Sequence, residues 1–558
     1  MKILWHMEYE ETFEYVECKA MLEFLPMELL VQILSFLNPS DLMCAGLSFK
    51  RFAEALQHKK FSNNWILNFS EPYSTQFAIP IQLLMQCERQ FPAIMLQTPQ
   101  VDDIVWEDFW IENGENLREL HFLSGLLTKE EFVNVVKYAK NLETLKIEAN
   151  NMFKNWVINK FSYERKVTFP KCSHISLARN NIISKDIFEY MMKTSPNIKA
   201  VDLSNCLQLM SPQERNSFLD SLLEFLKSSG KNITCLDLSN TVTDDLFLDK
   251  LGQIKDIKLK ELHLTFMGST KNSNYGLPVL IKNQPTLENF DLTASPSVND
   301  IVVRLISIYM TNIKILLLKK CHNLTDHGVR EISKLVHLKS LEISDCDHVT
   351  DTGIMDGVLM ENKNPHLRNL NLGLLQNLTE VVVRRLSYVL ESLSHLDLGG
   401  VSVGVTDNSL QMILRHMQLL RLLNVDSCCK VYFGFTGVSS EYARRHHSIR
   451  NLKGLQILKC NGLYKLTDYT MIDALSLLEL KEAHFARCNF TLEGVKAFVN
   501  NCPSLEVLDF SEGKFIDDKC VDIITLSLPR LKTLKLNRCE KISEKVFKIL
   551  HNNCHQLR

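Results

Sequence analysis

From Ile313 to Leu335 the chain reads IKILLLKKCHNLTDHGVREISKL. Ile313, Leu316 and Leu318 fall three and then two residues apart, and Cys321 follows three residues later. A polar turn comes next at Thr325-Asp326, then a run with Val329, Ile332 and Leu335 at helical spacing. The pattern predicts a short strand, a turn and a helix, each apolar on one side only. One such unit cannot bury its own apolar face, whereas stacked copies can.

The copies are present. Leu117, Leu142, Cys172, Ile198, Ile233, Leu259, Leu287, Ile313, Leu338, Leu367, Leu393, Leu420, Leu455, Leu480, Leu505 and Leu531 each open the same motif, mostly 25 to 29 residues apart. Cysteine often closes the strand, as at Cys206, Cys321, Cys346, Cys428, Cys488 and Cys539. A Thr-Asp pair then recurs, at Thr243-Asp244, Thr325-Asp326, Thr350-Asp351, Thr406-Asp407 and Thr467-Asp468. Both residues are expected to accept hydrogen bonds from the free N–H groups of the following helix. This repeat resembles that of the leucine-rich-repeat family, in its cysteine-containing subclass. The resemblance implies a curved α/β solenoid of about 16 repeats over residues 117–558, with parallel strands on the concave face and helices on the convex face.

The N-terminal region has a different texture. Residues 1–20 read as a flexible leader, and 21–66 contain no strand-like alternation. Pro26 suits the first turn of a helix, and Leu29, Leu30, Ile33, Leu34 and Leu37 follow at helical spacing on more than one face. Asn38-Pro39-Ser40-Asp41 breaks that helix, and two further short helices are expected, one around Leu42 and Ala45, one around Phe52 and Leu56. Three helices in so short a segment make a marginal bundle, so part of the apolar surface is expected to meet a partner.

Leu25-Pro26, Leu29-Leu30, Ile33-Leu34, Phe36-Leu37, Asp41-Leu42, Arg51-Phe52 and Trp65 together resemble the F-box, and with the repeats the chain resembles the F-box/leucine-rich-repeat proteins. The resemblance implies a substrate receptor of a Skp–cullin–F-box ubiquitin ligase. Leu25, Pro26, Leu29, Leu30, Ile33, Leu34, Leu37 and Leu42 would then meet a Skp-type adaptor and form the small core behind that contact. Cullin and RING subunits would join through the adaptor, and the repeats would hold a protein substrate. A binding scaffold whose partners are not degraded is the alternative.

Residues 67–116 read as a linker with a divergent capping repeat, its strand at 93–96. Trp106, Phe109 and Trp110 are expected to seal the stack's open end rather than to line a ligand pocket. Residues 552–558 reproduce the pattern of 500–506 that leads into a strand, so the stack is expected to stop without a cap, clipped or covered by another chain.

Composition narrows the partners. A formal net charge of −2 in 558 residues argues against a dedicated nucleic-acid binder. No signal peptide, membrane span or prenylation box is expected. Sixteen cysteines without an export signal imply reduced thiols in cytoplasm or nucleus. One cysteine per repeat suits a buried bend better than a metal site, and Cys428-Cys429 with His446-His447 fits no standard ligand spacing. No nucleotide-binding, zinc-protease or serine-hydrolase motif occurs, so no catalytic group and no cofactor are expected.

Two stretches stand out as substrate contacts. Ile315 and Leu317 are apolar on the predicted strand face, beside Lys319 and Lys320. The over-long repeat after Cys428 carries Tyr432, Phe433 and Phe435 beside glycines, then Arg444 and Arg445, and reads either as an outward binding loop or as an elongated helix-bearing repeat with its aromatics packed inside. An acidic row at Asp202, Asp237, Asp291, Glu342, Asp397 and Asp509 gives way to Lys459, Arg487, Lys535 and Arg538. That row is equally expected of a solvated strand pattern.

Overall fold

Apolar residues at two-residue spacing make strands, and the polar turn starts a helix, throughout the computed structural model of the chain. It describes residues 25–35, 37, 45, 50–56, 66–69, 91–96, 104–123, 129–148, 153, 156, 167–180, 183–207, 210–241, 243–266, 275–360, 364–436 and 448–553. The chain divides into two compact units, residues 1–225 and 226–558.

The first unit holds six parallel strands: β1 (Ile66–Phe69), β2 (Ala93–Leu96), β3 (Glu119–Phe122), β4 (Thr144–Ile147), β5 (His174–Ser176) and β6 (Ala200–Asp202). Each pairs in parallel with the next. The strand expected at 93–96 is β2. Phe109 and Trp110, on the helix Ile104–Asn113, are fully buried and meet edge to face at 5.2 Å, so they are core. The Trp106 side chain lies outside the described residues. Phe122, Phe132 and Trp156 extend this aromatic core, with ring centroids 5.2 to 5.8 Å apart.

The second unit holds twelve strands: β7 (Cys235–Asp237), β8 (Glu261–His263), β9 (Asn289–Asp291), β10 (Ile315–Leu317), β11 (Ser340–Glu342), β12 (Asn369–Asn371), β13 (His395–Asp397), β14 (Leu422–Asn424), β15 (Ile457–Lys459), β16 (Glu482–His484), β17 (Val507–Asp509) and β18 (Thr533–Lys535). All pair in parallel, in chain order and without slippage. Each of the sixteen positions from Leu117 to Leu531 is followed two residues later by a strand. In β10, Ile313, Leu316 and Leu318 are buried, while Ile315 and Leu317 are half-exposed on the other face. Strands sit about 4.8 Å apart, whereas packed helices need about 8–10 Å, so each unit bends with its strands inside. This is the α/β repeat solenoid that the leucine pattern predicts.

Three devices tie rung to rung. The first is cysteine. Each bend cysteine turns its thiol onto a carbonyl of the preceding rung: Cys206 onto Leu177 at 3.0 Å, Cys346 onto Leu318 at 3.2 Å, Cys428 onto Leu398 at 3.4 Å and Cys539 onto Phe510 at 3.2 Å. Ser295 does the same to Leu264 at 2.8 Å. A small donor is what that buried carbonyl needs.

The second is a left-handed residue just before the bend, at Asn240, Ala294, Lys320, Asp345, Leu374, Gly400, Ser427, Gly462, Arg487, Glu512 and Arg538. Its N–H reaches the next rung, as from Lys320 to the Ser344 carbonyl at 2.9 Å.

The third corrects the expectation for the Thr-Asp pair at most copies, though Asp244 does cap its own helix, accepting from Phe247 N–H at 2.8 Å. Threonine caps its own helix, Thr325 accepting from His327 N–H and Thr350 from Thr352 N–H, each at 3.3 Å. The aspartate behind it faces the next rung instead. Asp326 accepts from the Thr350 N–H at 2.7 Å and from its hydroxyl at 2.6 Å. Asp300 holds Thr325, Asp351 holds Thr379 and Asp468 holds Thr491 in the same way. Both oxygens are used, and the carboxylate still sits in the first helical turn, where the helix dipole favours it.

Candidate interaction surfaces

The N-terminal helix Met27–Leu34 begins after Pro26, whose extended backbone (φ −55°, ψ 147°) puts its carbonyl under Leu29 and Leu30 N–H at 3.1 and 3.2 Å. Pro26 thus stands one residue before the first turn. Leu30, Val31 and Leu34 are buried with Ala55 and Leu56, the latter pair at the end of the helix Lys50–Ala55 and just beyond it. Leu25, Met27, Ala45 and Phe52 pack against this small core. Arg51 closes it by donating to the Leu25 carbonyl at 2.7 Å.

The other helix face carries exposed apolar residues: Leu29 and Ile33, four residues apart on one side of the helix, are 45% and 46% exposed, and Leu37, just past the helix end, is 37% exposed. The eight residues expected at an adaptor therefore sort themselves. Leu30 and Leu34 hold the bundle and Leu25 packs on it, while Leu29, Ile33 and Leu37 face outward beside the exposed Pro26. Leu42 lies outside the described residues, as do Trp65, the leader and most of the link between the two helices.

On the strand face of the second unit, Ile315 and Leu317 lie between polar neighbours, Asn289 and Ser340 on one row, Asp291 and Glu342 on the other. Lys319 and Lys320 stand 4.0 Å from Glu342 and Asp345, so this basic step is offset by the next rung. The acidic row has a local duty. Asp237, Asp291, Asp397 and Asp509 each accept from the backbone N–H two residues later, at 2.8 to 2.9 Å, which ends the strand. Asn371 and Asn424 do the same and also donate to Glu342 and Asp397 at 2.9 Å. Of the basic positions further on, Arg487 is engaged in a two-pronged pair with Glu512 at 2.9 Å.

Two histidines on this face are missed by the sequence pattern, because they occupy the acidic-row position without being acidic. His263 faces Asp291 at 3.7 Å, and His484 faces Asp509 at 3.8 Å. The facing Asp291 carboxylate raises the His263 pKa above its usual range, against the opposing effect of burial.

The over-long repeat is anchored by Asp407. With no Thr in the next rung to hold, its Oδ1 accepts from Tyr432, Phe433 and Gly434 N–H at 2.8, 3.1 and 2.8 Å. Tyr432 and Phe433 remain exposed. Phe435 is a correction: only 1% exposed, it packs in the core and offers nothing to a partner. The anchored turn folds the chain back inward immediately after Gly434. Arg444 and Arg445 lie outside the described residues.

The buried thiols are poor nucleophiles. Burial pushes the bend cysteines Cys346, Cys428 and Cys488 and the helix-capping Cys502 up to about 12, and Cys520, inside a helix, to about 11. Among the described residues, no group of three or more His, Cys, Asp or Glu side chains could hold a metal ion. His446 and His447 lie outside them. No described helix is long and apolar enough to cross a membrane.

No model of a known protein family matches the chain. Among solved structures, it is similar to the crystal structure of the Rad7 and Elc1 complex in yeast, at 14% identity and TM-score 0.38, over 96% of this chain and 93% of that one. The TLR13–ssRNA13 complex gives 15% identity and TM-score 0.38, over 88% and 83%. An internalin from Listeria monocytogenes gives 14% and 0.35, over 61% and 86%.

Proposed function

We propose that the N-terminal helices dock on a Skp-type adaptor of a cullin–RING ubiquitin ligase, and that the repeats hold a protein for ubiquitination. The observation that carries the reading is the exposed apolar pair Leu29 and Ile33, on a helix whose opposite face already has its own core, with exposed Leu37 just past the helix end. Large apolar side chains on the second face of a short helix, between the exposed polar Glu28 and Gln32, are suited to cover by another chain. The F-box-like residues supply the identity of the cover. In this reading the chain supplies no chemical group. It raises the effective concentration of a bound protein near a conjugating enzyme brought by the RING subunit.

The test uses the exposed pair and spares the core. Leu29→Asp with Ile33→Asp should abolish co-purification of a Skp-type adaptor and leave the thermal unfolding of the chain unchanged. Adaptor recovered at the wild-type level by that variant contradicts the reading. Bound proteins whose ubiquitination and abundance do not change when the chain is removed would favour a scaffold instead.

A further inference from the structure

The loops that lead from strand to helix stack along one rim of the second unit. At β10 to β12 this rim is filled by pairs and amides. His322 meets Asp347 at 2.9 Å, Asn323 donates to the Pro296 carbonyl at 2.8 Å, and Asn377 to the Asp347 carbonyl at 2.8 Å. From β14 to β18 its character changes. The same loops carry Lys430, Tyr432 and Phe433, then Tyr464 and Lys465, then Asn489, then Lys514 and Phe515, then Lys541. Tyr432, Phe433, Tyr464 and Phe515 are all exposed.

These loops are continuous. Lys465 donates to the Tyr432 hydroxyl and lies 3.9 Å from its ring centroid, reaching from one rung to the one before. Asn489 donates to the Tyr464 carbonyl at 2.7 Å. Lys541 lies 5.0 Å from the Phe515 ring, and Lys514 5.7 Å. Among the described residues, none of Lys430, Lys465, Lys514 and Lys541 has a carboxylate within ion-pair distance. Some exposed cations of this unit do meet an acid of an adjacent rung, as Arg487 meets Glu512 and Lys532 meets Glu506. Among the described residues, the nearby carboxylates include Glu540 and Glu512, the latter engaged by Arg487.

We propose that this rim, from β14 to β18, binds an acidic peptide segment of a partner protein that also carries apolar side chains. Four ammonium groups set among exposed rings match alternating carboxylates and apolar groups. The four rung intervals span about 19 Å, the length of about six extended residues. Base stacking is disfavoured, because ammonium groups already lie over the Tyr432 and Phe515 rings. Four cations are also few for phosphate-backbone binding, which commonly uses about 6–10 contacts. The inference does not rest on the adaptor reading, which concerns other residues.

Fluorescence anisotropy on the full chain tests it. The probe is a fluorescein-labelled Glu-rich peptide carrying two leucines, with its Gln-for-Glu counterpart and an oligothymidylate of equal length as comparisons. The expected result is salt-sensitive binding of the acidic peptide alone, weakened about tenfold or more by Lys465→Glu with Lys541→Glu, and kept by Lys465→Arg with Lys541→Arg. Lys514→Glu, at a fully solvated position, serves as a second reversal whose folding is not in question. Equal binding by the charge-reversed variants, equal binding of the Gln peptide, or a preference for the oligothymidylate would each overturn the proposal.

Discussion

At the scale of single residues, the strand face shows how a position is spent twice. Asp291 ends its strand by accepting from Thr293 N–H at 2.9 Å and also faces His263. The pair makes stability depend on pH with a definite sign. His263 carries a folded-state pKa above its ordinary 6.5, chiefly from the facing Asp291 carboxylate, with Asp237 and Glu261 adding attraction. Its contribution is complete below about 6.5 and is lost as pH rises through the raised value. His395 behaves in the opposite sense, since burial and Arg421 lower its pKa. The difference between wild type and His263→Gln isolates the first effect. Urea midpoints should converge as pH rises past the folded-state value, and the His263 ring signal should titrate above 6.5 in NMR. A midpoint gap independent of pH would remove the pair from the account.

At the scale of the element, the rung is held by groups that local reading assigns to the wrong neighbour. Strand positions were legible because leucines at two-residue spacing recur at a fixed interval, and burial of Leu316 and Leu318 follows from that spacing alone. The duty of Asp326 was not. A Thr-Asp pair looks the same whether the aspartate caps its own helix or reaches across, and only the stacked structure shows the second. Asp326→Ala should therefore cost about 1.5–3 kcal/mol, the range for hydrogen bonds to a charged group, although the helix keeps its Thr325 cap. Chemical denaturation measures it, and a loss under about 0.5 kcal/mol, as for an ordinary surface substitution, would refute the staple. Phe435 was misread for a related reason. Aromatics beside glycine in an over-long repeat look like a loop tip, and nothing nearby in sequence announces that Asp407 pins residues 432–434 from the rung before. The rim lysines escaped notice because Lys465, Lys514 and Lys541 come together only through the stack's register.

At the scale of the whole molecule, two kinds of construction share one chain. The repeats bury their leucines against one another, so every interior rung is covered by its neighbours. The N-terminal helices do this only in part: five buried residues form their core, and Leu29, Ile33 and Leu37 are left exposed. Helical periodicity already separated Leu30 and Leu34 from Leu29, Ile33 and Leu37, whereas deciding which set faced inward required Leu56 and Ala55 to take their places. A partner that covers the exposed set should slow amide exchange there and leave the rungs as they were. Hydrogen–deuterium exchange of the full chain with and without a purified Skp-type adaptor measures this most directly. The account predicts new protection in peptides spanning residues 25–37 and none at the strands β7 to β18. Unchanged exchange at 25–37 under saturating adaptor, or protection confined to the repeats, would contradict it.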